Sequence, residues 1–284
     1  MRLPVRWWMR WVRPRRLRIF QFGCGNMGGA MLTGWLAGGF DPAGFTVIDP
    51  YLAKAPDGVR LLPAAPNGEA PADVVVLGFK PHQLPTAAPT ISPLISSETI
   101  VLSVLAGADL ATLRITFPAA GAVVRVMPNL AAALGKSPIV LFGDAAGPAR
   151  ITVEALMAPL GQAEWLVDEA AMDLVTALAG SGPAFVYRFI DALAAGAAAL
   201  GLPRDQADRL ALAMVEGAAM LAVASPDSPA DLAQRVASPG GTTRAGLDVL
   251  DADDRLVHLV TDTLRGARDR SAVMTADGRS RAGY

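Results

Sequence analysis

The sequence predicts two domains: an α/β fold on a parallel, doubly wound sheet, followed by an all-α half. Three observations carry this. Short apolar runs rich in Val and Ile alternate with helical patterns over the first part of the chain. Those runs are continuously apolar, as strands covered by helices on both faces require. After about residue 165 the runs stop and only helical patterns remain. The length of 284 residues agrees, since one domain takes roughly 100–200 residues.

The elements follow in order. Leu17–Phe22 reads as a buried strand ending in glycines, and Met27–Leu36 as a helix ended by Gly38-Gly39. Phe45–Ile48 is a second strand, closed by Asp49-Pro50. Asp73–Phe79, Thr99–Ser103, Ala122–Val126 and Pro138–Phe142 are the next four. The helices of the second half are Ala170–Ala179, Pro183–Leu200, Arg204–Ala224, Pro229–Ala237, Thr243–Leu250 and Asp254–Met274. Pro203, Pro226 and Pro229 punctuate them near their starts. Domain limits are set at 17–164 and 165–284. Residues 1–16, rich in Arg and carrying Trp7, Trp8 and Trp11, lack the apolar run of a secretory signal and read as a disordered basic extension.

Composition narrows the classes. The chain is 52% hydrophobic and 18% charged, against about 25% charged in typical globular chains. So little charge implies a large core or a subunit interface. A net charge of -1 gives no general attraction to nucleic acid or acidic membranes. Apolar stretches are interrupted by Arg125, Asp191 and Arg209 before reaching the roughly 18 uncharged residues of a membrane span. Cys24 is the one cysteine, so no intrachain disulfide forms; this suits a reducing, cytoplasmic setting. With only His82 and His258, no metal-ligand cluster is evident, and no metal is expected.

Gly23-Cys24-Gly25-Asn26-Met27-Gly28 fits the G-x-G-x-x-G fingerprint in its required place, after a strand and opening a helix. Gly23 permits the tight turn, Gly25 lets the backbone approach a pyrophosphate, and Gly28 lets the helix pack on the strand. The helix N-terminus offers N–H groups and partial positive charge to the phosphates. Asp49, at the end of the second strand, is placed to accept hydrogen bonds from the adenosine ribose and to repel a 2′-phosphate, which favours NADH over NADPH. The competing reading makes Asp49 only the start of a turn.

Six blocks are spread along the chain in order: GCGNMG at 23–28, FKP at 79–81, SVLAG at 103–107, RVMPN at 125–129, GSGPA at 180–184 and SPGGTTRAGL at 238–247. In that order and spacing, from about Arg18 to Met274, the chain resembles the pyrroline-5-carboxylate reductases. The last block is the most specific. The resemblance implies a Rossmann-like domain followed by an all-α dimerisation domain. It implies hydride transfer from NAD(P)H to 1-pyrroline-5-carboxylate, giving L-proline. It also implies a homodimer or larger homo-oligomer whose active sites gather residues from both subunits.

The resemblance carries over residue by residue. Gly240, Gly241 and Thr242 would hold the substrate carboxylate through backbone groups, with Ser238 in the same loop. Two glycines before a helix entry suit an anion nest on physical grounds as well. The Thr243 hydroxyl would bond the ring nitrogen as the catalytic contact. Glu169 would lie near the substrate. Phe79, Lys80, Pro81 and Ala106 would line the cofactor, and Asn67 would meet its adenosine side. Asn129 would order the loop after the fifth strand, and Ser181-Gly182-Pro183 would shape a helix entry. The chain departs from the family at Leu130-Ala131-Ala132-Ala133-Leu134, where relatives continue Thr-Pro-Ala. Two alternatives follow: reduction of a six-membered imine such as 1-piperideine carboxylate, or a non-catalytic nucleotide-binding role.

Overall fold

The computed structural model describes residues 17–281, so the basic extension 1–16 lies outside the described residues. The chain divides into two compact units. One runs to Gly180 and takes in the chain again from Asp269; the other is Ser181–Arg268.

The first unit is built on eight strands: β1 (Ile19–Phe22), β2 (Phe45–Ile48), β3 (Arg60–Leu62), β4 (Val74–Leu77), β5 (Ile100–Ser103), β6 (Ala122–Met127), β7 (Ser137–Gly143) and β8 (Gly161–Trp165). They lie in the order β3-β2-β1-β4-β5-β6-β7-β8. β1 pairs in parallel with β2 on one side and β4 on the other, so the order reverses between β1 and β4. Helices α1 (Asn26–Ala37), α2 (Leu84–Ile91), α3 (Leu110–Thr116), α4 (Gly147–Met157) and the short α5 (Met172–Val175) accompany the sheet.

The four residues of β4, Val74 to Leu77, are all fully buried, and alternate ones serve opposite faces. Val74 and Val76 join a cluster with Met31, Trp35 and Leu156, whereas Val75 and Leu77 join one with Ile91, Leu113 and Phe117. Each large side chain so buried contributes about 1.5–3 kcal/mol. Trp35 also donates from Nε1 to the Leu156 carbonyl at 2.7 Å, which satisfies its polar tip in the core.

Three expectations are corrected. The sheet is mixed, because β7 runs antiparallel to β6 and β8 follows β7 in parallel. The short return through the turn Leu130–Leu134 has no helix long enough for a parallel crossover. β3 and β8 escaped the sequence reading, since their partly exposed residues lack a continuous apolar run. The first unit also extends past the expected limit at 164 to Gly180. Arg125–Glu169 and Asn129–Ala179 hydrogen bonds tie the segment 169–180 to the end of β6.

The second unit is helical: α6 (Gly182–Ala199), α7 (Arg204–Ala224), α8 (Pro229–Val236), α9 (Thr242–Asp251) and the start of α10 (Arg255–Arg281). Its described core is small. Ala194, Ala207 and Ala211 are buried where α6 meets α7. Phe189, Leu210, Leu212, Leu221, Leu256, Leu259 and other large apolar side chains stay exposed. No single helix among the described residues is long and apolar enough to cross a membrane.

Candidate active site

The glycine loop sits at the carboxyl edge of the sheet, where the strand order reverses. Gly23 N donates to the Ile48 carbonyl at 2.9 Å, and Gly78 N to the Phe22 carbonyl at 2.7 Å. The loop is thereby seated between the ends of β2 and β4. Gly23 needs its left-handed φ of +85°, and a Cβ there would lie 2.7 Å from the Gly78 carbonyl oxygen. Gly28 has no room either: its Cβ would fall 2.6 Å from the Gly23 oxygen. Gly25 is the opposite case, with nothing within 4 Å of an added Cβ. It is exposed, and α1 starts behind it without a side-chain cap. Open space before an uncapped helix start is the shape that admits a pyrophosphate. The residues present therefore fit a dinucleotide.

Two side chains set this loop. Asp49 Oδ2 accepts from Cys24 N at 2.8 Å, and Oδ1 accepts from Tyr51 N at 2.9 Å. Asp49 is thus a turn residue and a brace for the loop at once, with further lone pairs left for a ribose. Gln21, fully buried in β1, donates from Nε2 to the Gly23 carbonyl at 3.1 Å. Sequence reasoning missed Gln21. The signal was a polar residue inside an apolar strand. Its Oε1 has no partner among the described residues. Cys24 is half-buried, and burial pushes its thiol pKa up. The Asp49 charge adds to that rise, and Gln21 partly offsets it.

The other cofactor candidates gather at the same edge. Phe79 is half-buried and Lys80 exposed just after β4, with Lys80 N donating to Gln83 Oε1 at 2.9 Å. Ala106 is half-buried in the loop after β5, beside Gly107 at φ +84°. Asn67 stands apart, exposed on a crevice of about 380 Å³ that it shares with Pro66, Glu69, Thr90 and Pro93.

Glu169 and Asn129 also belong to the first unit. Glu169 Oε1 accepts from Arg125 Nη1 at 2.6 Å and from Leu110 N at 2.8 Å. Asn129 orders its loop as expected: Oδ1 accepts from Ala131 N, and Nδ2 donates to the Ala179 carbonyl at 2.9 Å. That carbonyl lies in the π-helical turn Thr176–Gly180. Ser181 and Pro183 sit at the entry of α6.

The other substrate candidates lie in the second unit. Gly241 N donates to the Ser238 carbonyl at 2.9 Å, closing a turn around Gly240 at φ +70°. Gly241 is the N-cap of α9 and brings no side-chain cap. Ser238, Gly240, Thr242 and Thr243 are exposed, and nothing lies within 4 Å of an added Cβ at Gly240. A glycine turn before an uncapped, solvent-facing helix start can take a carboxylate on backbone N–H groups.

The chain is similar to known proteins along most of its length. Residues 169–274 match the family model described as pyrroline-5-carboxylate reductase dimerisation, and residues 18–107 match NADP oxidoreductase coenzyme F420-dependent. The pyrroline-5-carboxylate reductase of Pseudomonas aeruginosa is 36% identical, over 90% of this chain and 96% of its own length. Pyrroline-5-carboxylate reductase 2 of Bacillus subtilis is 34% identical, over 86% of this chain and 91% of its own. Among solved structures, a pyrroline-5-carboxylate reductase from Coxiella burnetii superposes with a TM-score of 0.85 at 29% identity, covering 92% of this chain and 99% of that one. A Plasmodium falciparum pyrroline carboxylate reductase with NADP bound shares the fold, with a TM-score of 0.77 at 23% identity over 91% of this chain and 98% of its own. With such relatives spanning nearly its whole length, the chain belongs to the pyrroline-5-carboxylate reductase family.

Proposed function

We propose a division of labour between the two units for the reaction of this family. The chain is an NAD(P)H-dependent oxidoreductase that reduces the C=N bond of 1-pyrroline-5-carboxylate to give L-proline. The relatives do not favour the six-membered imine or the non-catalytic alternative. The bound nicotinamide supplies the hydride. The protein binds, orients and excludes water.

In the first unit, residues 23–28 hold the pyrophosphate, with Gly25 as the point of closest approach. Phe79, Lys80, Pro81 and Ala106 line the rest of the cofactor, and Asn67 meets its adenosine side. Asp49 takes the ribose hydroxyls, and its charge disfavours a 2′-phosphate. NADH is therefore the preferred donor. In the second unit, Gly240, Gly241 and Thr242 hold the substrate carboxylate beside Ser238. Thr243 Oγ1 bonds the ring nitrogen, holding the imine proton there so that the C=N carbon stays electrophilic. The working form is a homodimer, because the exposed apolar helices of the second unit need a partner.

The observation that supports this reading best is the pair of glycine-led, uncapped helix starts at Gly25 and Gly241. One suits a pyrophosphate and the other a carboxylate. The test is the initial rate of NADH and NADPH oxidation with 1-pyrroline-5-carboxylate at matched concentrations. A clear NADH preference is expected. Preference for NADPH would remove the ribose role of Asp49 and leave the reaction standing.

A further inference from the structure

Three elements far apart in sequence meet at one carboxylate oxygen. Arg125 lies within β6, two residues before its end, with its side chain only 7% exposed, and it is paired to Glu169 Oε1 at 2.6 Å. The same oxygen accepts the Leu110 amide at 2.8 Å. Leu110 is the first residue of α3, so this amide is one of the donors a helix start cannot satisfy internally. Ser103, the last residue of β5, is the cross-strand neighbour of Arg125.

The loop between Ser103 and Leu110 is consequently held at several points. Val104 N donates to the Leu77 carbonyl at 3.1 Å at its start. Leu105 and Ala108 are buried. A Cβ on Gly107 would meet the Met274 carbonyl oxygen at 2.9 Å, so the end of α10 presses on the middle of the loop. Ser271 Oγ, one helical turn earlier, is fastened to Asp173 Oδ1 at 2.8 Å.

In a sheet whose order reverses between β1 and β4, a dinucleotide lies across the reversal. Its adenosine half falls on the β2 side, which leaves the β4 and β5 ends to the nicotinamide half. We infer that Arg125 and Glu169 are positioning residues that set the loop after β5 for the nicotinamide, and that Glu169 does not contact the substrate. This rests on the reading that the Ala106 loop lines the nicotinamide. The Arg125 guanidinium is kept neutralised in its buried place, and Glu169 stays fixed on the Leu110 amide.

Removing one member strands a buried charge and endangers the fold. The test therefore uses the paired variant R125M/E169L together with E169Q, which keeps an acceptor for the Leu110 amide. Binding of ADP-ribose, which lacks the nicotinamide, is compared with binding of NADH by calorimetry, alongside Tm, kcat and the KM for the imine. For R125M/E169L we expect an unchanged ADP-ribose Kd and an NADH Kd raised about tenfold. We expect kcat to fall about ten- to a hundredfold with the imine KM held within about twofold. E169Q should be intermediate, with the NADH Kd raised about threefold and the ADP-ribose Kd unchanged.

Unchanged NADH binding and kcat in the folded pair variant would overturn the inference, leaving a purely structural ion pair. A raised imine KM with normal NADH binding would overturn it in favour of a substrate contact. Equal loss of ADP-ribose and NADH would overturn it as well, because the damage would not be confined to the nicotinamide side. If R125M/E169L does not fold, E169Q with normal NADH and ADP-ribose binding would overturn it, whatever its imine KM. E169Q with NADH binding weakened and ADP-ribose binding intact would sustain it. A106W separates the two readings: if it binds NADH as tightly as the wild type, the placement of the loop fails, whatever Glu169 does.

Discussion

Gly25, the N-cap of α1, and Gly28, inside its first turn, belong to one fingerprint, yet the space around them differs, so they report different things. At Gly25 an added methyl meets only open space. G25A is expected to keep the wild-type Tm while weakening NADH binding at least about tenfold, because the methyl occupies the approach of the pyrophosphate. At Gly28 the methyl meets the Gly23 carbonyl and the Gln21 amide. G28A is expected to lose about 1–3 kcal/mol of stability in chemical denaturation, along with binding. Equal Tm losses in the two variants would contradict the separation.

Thr243→Ala should lower kcat/KM for the imine with the NADH Kd nearly unchanged, and parallel loss of both would place Thr243 in the fold instead. Cys24 adds a prediction of its own. Its thiol pKa is raised by burial first and by the Asp49 charge second. Since the thiolate is the nucleophile, alkylation by iodoacetamide at pH 8 should be slower than for free cysteine. A rate equal to that of free cysteine would refute the assignment.

At the scale of elements, the junction of α3, β6 and β7 is held by Asp144. Its Oδ1 accepts the Val123 amide at 2.8 Å, and its Oδ2 is paired to Arg114. Burial alone would raise this carboxyl's pKa, but the hydrogen bonds from Arg114 and Val123 and the Arg114 charge outweigh it. The net direction is below the ordinary carboxylate range. A depressed folded pKa stabilises above the unfolded value of about 3.9 and is lost as pH falls through the folded value. D144N should therefore be less stable than the wild type at pH 7, with the gap closing below about pH 4. A gap that persists unchanged into acid would show that the loss comes from packing rather than charge.

At the scale of the whole molecule, the second unit carries its function with little core of its own. Leu200 is 91% exposed and Val223 87% exposed, and the buried residues of the unit are three alanines. Such a surface is outside what isolated proteins show, and a second copy of the chain is the partner the family description supplies. Sedimentation velocity at micromolar concentration is expected to show a dimer or a larger closed assembly. A fully active monomer would remove the homodimer reading.

The residues alone determined the alternation of strands and helices, the glycine loop with its acid at Asp49, and the glycine-rich turn at Ser238–Thr243. Each of these is a local pattern. Continuous apolar strands, fingerprint spacing and turn chemistry are written within a few neighbouring positions, so they are legible in one dimension. The reversal of β7, the brace that Asp49 gives Cys24 N, the buried Gln21 under the loop and the partners of Glu169 were decided only by tertiary structure. Asp49 and Cys24 are 25 residues apart, Glu169 and Arg125 are 44 apart, and Gln21 is buried between Val47 and Val76 of the neighbouring strands. No local pattern encodes which distant amide will lie within 3 Å of a carboxylate once the chain has packed.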